Sequence, residues 1–297
     1  MVVPTTWSGK IFRLFNYGFL SLFSLLAVFP FVNVLSLSLS NKSAAAAGLV
    51  KLWPVGFTLS SYEFVFHRVE FFVALGVSVE RVLLGTAISM FVIVLAAYSL
   101  SKEEKAFPGR TLYAWLFVFT ILFNGGLIPW YMTIKATGIL DTIWALVLPG
   151  AVQVFNCILL LNFFRGLPKA LEEAACIDGA NHWTILWRVY IPLSTPVLAT
   201  VILFTIVGNW NSWFDGLILM NSPNHYPLQS YLQTVVVKID SSTFANIDPT
   251  QARLLSEVSD RTVKAAQIFM ATVPVLFVYP FLQKYFMAGI VLGSVKE

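Results

Sequence analysis

Six times the chain runs apolar for about twenty residues or more, roughly over 11 to 35, 74 to 99, 111 to 133, 139 to 164, 193 to 219 and 265 to 287. A run of ~20 apolar residues matches the helix length that crosses a ~30 Å hydrocarbon layer. Lipid offers no partner to open backbone groups, so a spanning segment is either a helix or a strand of a closed barrel. Barrel strands alternate apolar and polar residues with period two. These runs do not alternate, and all six are predicted to be helices. The chain is therefore read as an all-α integral membrane protein with six transmembrane helices. Composition agrees: 11% of the 297 residues are charged, against about 25% in an ordinary soluble domain.

The first run has no small-residue cleavage site in the expected place, so it is read as a retained span and not as a removed signal peptide. With the N-terminus inside, the segments on that side hold Lys10, Arg13, Lys102, Lys105, Arg110, Arg165, Lys169, Arg188, Lys284 and Lys296, ten of the 19 basic residues. Of the other nine, seven are diluted over two long loops, about 36 to 73 and 220 to 264, and the remaining two are Arg81 and Lys135. Density of Lys and Arg in short loops sets orientation, which puts both termini in the cytoplasm. The net charge of +4 includes no basic block, so nucleic-acid binding has no support. Cys157 and Cys176 lack the spacing of a disulfide framework or a zinc site and are read as free thiols. His67 and His182 have no ligand partners at metal spacing, and no metal is expected.

Between the fourth and fifth runs the chain turns polar: EEAACIDGANHWTILWRVYIPLSTP, Glu172 to Pro196. Pro168 suits a first helical turn, and KALEEAA, Lys169 to Ala175, is strong helix former with acids near the N-terminus, where the macrodipole favours them. Gly179 supplies a turn. Asn181 can cap a second helix, HWTILWRVY, which is predicted to end before Pro192 because a residue preceding proline resists helical angles. Two short helices joined by a sharp bend are expected at the cytoplasmic membrane face.

That spacing carries a resemblance. Glu173-Ala174-Ala175, then Gly179, then Val189-Tyr190-Ile191-Pro192 is similar to the EAA loop of the permease subunits of ABC importers, and Asp178-Gly179-Ala180 resembles the carbohydrate, MalG-like, binding-protein-dependent branch. AAYSLSK at 96 to 102, GGLIPWYM at 125 to 132, WNSWFD at 210 to 215, YPLQSYL at 226 to 232 and the C-terminal QKYFMAGIVLGSVKE stand where such permeases carry similar segments. Val189 replaces the commoner Ile, and Cys176 replaces a longer polar residue; neither alters the bend.

The resemblance implies one permease domain over 1 to 297, with 165 to 192 as a coupling loop between helices four and five. It implies that Glu172, Glu173, Ala174, Ala175, Asp178, Gly179 and Pro192 form the docking element for an ATPase subunit. Small Ala174 and Ala175 would allow close approach, Glu173 would pair with a basic residue of the partner, Gly179 would permit the reversal and Pro192 would re-enter the bilayer. It further implies a second homologous permease subunit, two ATPases, an extracytoplasmic solute-binding protein and a place in the bacterial cytoplasmic (inner) membrane. No Gly-x-x-x-x-Gly-Lys-Ser/Thr loop occurs, so this chain binds no cofactor of that kind, and ATP with Mg belongs to the ATPase partner. The expected cargo is a carbohydrate, an oligosaccharide or polysaccharide fragment; an alginate-like acidic polymer fits, although no basic intramembrane cluster demands one.

Transporter sites lie near the bilayer midplane, where helices are interrupted and polar groups face a cavity. Asn124-Gly125-Gly126 with Pro129 loosens span three, and Pro149-Gly150 followed by Gln153 and Asn156 does the same in span four. GNWNSWFD in span five sets Trp210 and Trp213 beside Asn209, Asn211 and Asp215. Aromatic rings beside amides and a carboxylate suit sugars, which present hydroxyls and an apolar C–H face. The same residues also suit helix packing, since Asn bonds between helices and Trp favours interfaces. Glu80 and Arg81 are read as an interfacial pair. The loop of 220 to 264, with Asp240, Asp248, Glu257 and Asp260, is long enough to meet a solute-binding protein or to be simply solvated. Two other classes fit less well. An ion-driven secondary transporter would carry inverted repeats and more buried ionisable groups than Asp215. An intramembrane enzyme would place His, Ser or paired carboxylates inside the spans, whereas His67, His182 and His225 all fall outside them.

Overall fold

The computed structural model describes the backbone of residues 7–237 and 257–294. Asp240 and Asp248, in the middle of the long loop, and Lys296 lie outside the described residues, as does the side chain of Lys284. Every regular element among the described residues is helical. Three helices are long and apolar enough to cross a membrane unbroken: α1 (Trp7–Ser38), α4 (Val69–Ser101) and the first part, Asp260–Val278, of the last helix, α15 (Asp260–Ser294). Each is longer than its apolar run by several residues at one or both ends.

The chain divides into two units. The first takes in residues 1–69 and 234–272. In it, the end of α1 and the loop that follows are held by short polar side chains: Asn33 Nδ2 donates to the Lys51 carbonyl at 2.5 Å, Ser36 Oγ to the Leu52 carbonyl at 2.6 Å, and Ser40 Oγ accepts from the Val55 amide at 3.0 Å. These bonds fold the loop without regular structure, because each backbone group they satisfy needs no ladder. Two short helices sit in it, α2 (Lys42–Ala46), capped by Asn41, and α3 (Ser60–Phe66).

The second unit, residues 70–233 and 273–297, contains α4 from its second residue, α5 (Arg110–Leu122), α6 (Leu127–Ala136), α7 (Ile143–Val147), α8 (Val154–Arg165), α9 (Lys169–Ile177) and the elements up to the first part of α14 (Leu228–Val237). Runs three to five are each broken, runs three and four at the Gly and Pro positions expected to loosen them. α5 and α6 meet at 119°, where Asn124 Oδ1 accepts from the Gly126 amide and Gly126 takes a φ of 91°. α7 and α8 are separated by the Pro149-Gly150 stretch. Run five divides at Ser212-Trp213 into α12 (Thr195–Asn211) and α13 (Phe214–Leu219). Its core joins Ile93, Ala97 and Tyr98 of α4, Leu160 and Phe164 of α8, Ile185, Leu186 and Tyr190 of the bent segment, and Val197 and Val201 of α12. A smaller cluster joins Ile134, Ala145, Leu146, Leu219 and Met220. Beside it, Asp141, with a φ of 58°, accepts from the Asn221 and Ser222 amides at 2.9 and 3.2 Å and pairs with His225 Nδ1 at 3.0 Å.

The polar stretch folds as two helices and a bend. α9 leaves α8 at 72°. It ends in a Schellman turn: the Ala180 amide bonds the Ala175 carbonyl at 2.9 Å and the Gly179 amide bonds the Cys176 carbonyl at 3.0 Å, with Gly179 at a φ of +78°. Asn181 Oδ1 then accepts from the Thr184 amide at 2.8 Å and caps α10 (His182–Ile185). The expected stop before Pro192 does not occur. A π turn over Leu186–Tyr190 passes into α11 (Ile191–Leu193), with Ile191 at helical angles and its amide bonded five residues back to the Leu186 carbonyl. A π turn shifts the bonding register by one residue, so the helix runs past a proline that cannot donate. The break comes at Ser194 instead, where α12 departs at 84°.

A Cβ at Gly179 would meet nothing within 4 Å, so substitution there tests backbone angle alone. Gly179→Ala is expected to lower stability by about 1–2 kcal/mol, and Gly179→Asn by less, because Asn tolerates left-handed angles. Thermal unfolding of the purified protein checks the order; an Asn variant less stable than the Ala variant contradicts the left-handed turn.

Candidate coupling surface and translocation path

α9 presents two different faces. Its inner edge is fastened: Glu172 Oε1 accepts from Lys102 Nζ at 2.5 Å and Glu172 Oε2 accepts from the Tyr190 hydroxyl at 2.5 Å. Burial alone would raise the Glu172 pKa, but these two bonds outweigh it and hold the carboxyl below its usual range. Burial and the bond to that carboxylate push the Tyr190 hydroxyl well above its ordinary value. At the N-terminal end of the helix, Lys169 pairs with Glu103. The outer edge is open to solvent. Glu173, Ala174, Cys176 and Asp178 are exposed, and Ile177 is 86% exposed. Leu171, Trp183 and Trp187 add exposed apolar surface on the same bent segment. An amphipathic element with its acid tethered inward and an apolar, small-residue rim outward suits a groove in a soluble partner.

Of the seven residues expected to dock, Glu173, Ala174, Asp178 and Gly179 are exposed together, and Ala175 is half-buried against the core. Glu172 is committed to this chain's own Lys102 and Tyr190. Pro192 sits inside α11 and marks no helix end. His182, beyond heading the capped helix, lies 3.1 Å through Nδ1 from the Tyr98 hydroxyl.

In the spans, the expected Glu80–Arg81 pair is replaced by another. Residues adjacent in a helix point about 100° apart, so Glu80 faces outward while Arg81, 3% exposed, turns inward to Asp215. The contact is two-pronged, the second bond running from Arg81 to Asp215 Oδ1 at 3.2 Å. Oδ1 also accepts from Ser212 Oγ at 2.8 Å and from the Gly216 amide at 3.0 Å. Asp215 thus lies in the first turn of α13 and neutralises Arg81 at the point where run five breaks. A charge in this setting is tolerated only with such partners.

The remaining path candidates separate by exposure. Asn156 is buried and donates to Gln153 Oε1 at 2.5 Å and to Thr205 at 3.3 Å, an interhelical clamp between α8 and α12. Trp210 is buried. Asn124 is exposed and serves its own turn. Asn209 lies against Gly85, whose missing Cβ leaves the room: a methyl there would stand 2.9 Å from Asn209 Nδ2. That nitrogen has no hydrogen-bond partner among the described residues. Asn211 and Trp213 are exposed beside it. Among the described residues no group of three His, Cys, Asp or Glu side chains could hold a metal ion.

No protein-family profile matches the chain. It is 39% identical over 288 residues, 97% of this chain and 99% of the other, to the polygalacturonan/rhamnogalacturonan transport system permease protein YtcP of Bacillus subtilis (strain 168). It is 40% identical over 291 residues to protein LplC of the same organism, covering 98% of this chain and 97% of that one. A chain in the crystal structure of a bacterial ABC transporter involved in import of the acidic polysaccharide alginate superposes with a TM-score of 0.86 at 35% identity, over 96% of this chain and 100% of that one. With near-complete coverage at these identities, and with a bent polar segment between the fourth and fifth runs, the chain belongs to the permease subunits of carbohydrate ABC transport systems.

Proposed function

We propose that this permease crosses the bacterial cytoplasmic (inner) membrane six times, with both termini inside, and that α9 is the coupling helix on which a partner ATPase pulls. The six spans are α1, α4, α5 with α6, α7 with α8, α12 with α13, and α15. The single observation that carries the reading is the two-faced build of α9, tethered through Glu172 and open along Glu173, Ala174 and Ile177. The assembly contains a second homologous permease, two ATPases that bind ATP and Mg, and an extracytoplasmic solute-binding protein. Closure of the ATPases moves α9, and the spans rock between inward and outward openings around a path lined by Asn209, Asn211 and Trp213. Gln153 reaches the same path from α8, where its amide oxygen also receives Asn156.

The cargo is a fragment of an acidic polysaccharide. Two similar proteins serve such polymers, polygalacturonan/rhamnogalacturonan in one case and alginate in the other. Asn209 Nδ2, a buried donor without a partner among the described residues, suits the carboxylate or ring hydroxyl of a uronic acid.

Glu173→Lys and Gly179→Pro are expected to leave membrane insertion intact and to lower sugar-stimulated ATP hydrolysis at least tenfold in the reconstituted complex. Wild-type turnover in both variants contradicts α9 as the joint. Oligogalacturonate and alginate oligomers are expected to stimulate the wild-type complex where neutral maltodextrins do not. Asn209→Leu should raise the apparent KM for the acidic sugar several-fold with assembly unchanged, and an unaltered KM removes Asn209 from the path.

A further inference from the structure

Lys102 stands in an unusual place for a lysine. It follows directly on α4 and is 9% exposed, in a chain poor in charge. Its Nζ lies 2.5 Å from Glu172 Oε1 and 3.2 Å from the Tyr190 hydroxyl, and 4.0 and 4.3 Å from the ring centroids of Tyr98 and Tyr190. The ammonium therefore has a carboxylate, a hydroxyl and two aromatic faces around it, an arrangement that holds a desolvated cation in one position. Tyr98 and Tyr190 meet edge to face at 5.1 Å, and Phe164 of α8 closes on Tyr190 at 5.2 Å. Covalent connection ties α9 only to α8 before it and to the helices leading to α12 after it. Lys102 adds a buried attachment to the end of α4, which is remote in sequence; the neighbouring Lys169–Glu103 pair is exposed on both sides, where an ion pair contributes little.

α4 is attached again farther along. Arg81 and Lys102 are 21 positions apart, about 31 Å at 1.5 Å per residue. One end of that rod holds Glu172 of α9, and the other holds Asp215 at the break between α12 and α13. We propose that Lys102 is a positioning residue for transport: it locks α9 to α4, so that displacement of α9 reaches the Arg81–Asp215 break through α4 as a rigid rod, in parallel with the route through α12. A rigid element with discrete, fastened ends is what energetic coupling over such a distance requires. The inference rests on α9 being the coupling helix.

The test uses the full complex in proteoliposomes, with its partner permease, ATPases and binding protein, and labelled tri-galacturonate as cargo. Three quantities are read per assembled complex: basal ATP hydrolysis, sugar carried per ATP, and thermal stability of the assembly. Lys102→Met is expected to keep basal hydrolysis within about twofold and to lower sugar carried per ATP at least tenfold, by removing the buried tie of α9 to the end of α4 and leaving there only the exposed Lys169–Glu103 pair. Lys102→Arg, which keeps a cation able to stack on both rings, should restore the ratio to within about threefold of wild type. Tyr190→Phe removes one hydroxyl and should lower the ratio about threefold with stability unchanged; it decides the matter if Lys102→Met does not assemble. Wild-type ratios in Tyr190→Phe and in assembled Lys102→Met overturn the inference alone. A wild-type complex whose tri-galacturonate uptake does not depend on ATP overturns the proposed function and the inference with it.

Discussion

A hydrocarbon layer supplies no hydrogen bonds, and every interruption of a helix inside it must satisfy its own backbone or borrow a side chain to do so. This protein meets that demand twice with side chains close at hand. Asn124 closes the turn between α5 and α6, whereas Gln153 and Asn156, at the start of α8, bond each other and Thr205 on α12. Ser212 and Asp215 hold the break between α12 and α13, with Arg81 brought across from α4. The breaks between α5 and α6 and between α12 and α13 are thus each held by named side-chain bonds.

Buried charge follows the same rule and does more of the organising. Two ion pairs, Arg81–Asp215 and Lys102–Glu172, join α4 to the two segments where the chain bends. Removing one partner of such a pair leaves an uncompensated charge at a cost of several kcal/mol, so each pair keeps its helices in register. α4 is in this sense the reference element of its unit, packed into the core by Ile93, Ala97 and Tyr98 and pinned beyond that core by charge.

Much of this was legible in the residues themselves. Run length marked the helices, and the Asp178-Gly179 break and Asn181 marked the bend and its cap, because left-handed glycine and side-chain capping are local effects. The EAA spacing carried the family. Three features were not legible. The π turn that carries the helix past Pro192 depends on packing of Leu186 and Tyr190 in the core, which overrides the local preference against helix before proline. Arg81 and Asp215 are 134 residues apart, and Lys102 and Glu172 are 70 apart. Only the general expectation that a buried charge has a partner pointed toward them, and it pointed Arg81 to its neighbour Glu80. Of the path candidates, Asn156 and Trp210 went inward to packing, since an amide or an indole in an apolar run serves helix contact as readily as a ligand.

The central claim is that the bent segment of residues 165 to 192 faces the cytoplasm with its outer edge gripped by an ATPase. The chain carries its own probe, because Cys176 is exposed on α9 while Cys157 is buried. Labelling with a membrane-impermeant maleimide, in intact cells and in inside-out vesicles, reads both halves of the claim. Modification of Cys176 only in inside-out vesicles, and its protection when the ATPase is bound, is the result predicted. Modification from the outside of intact cells, or equal reactivity with and without the ATPase, would contradict the account.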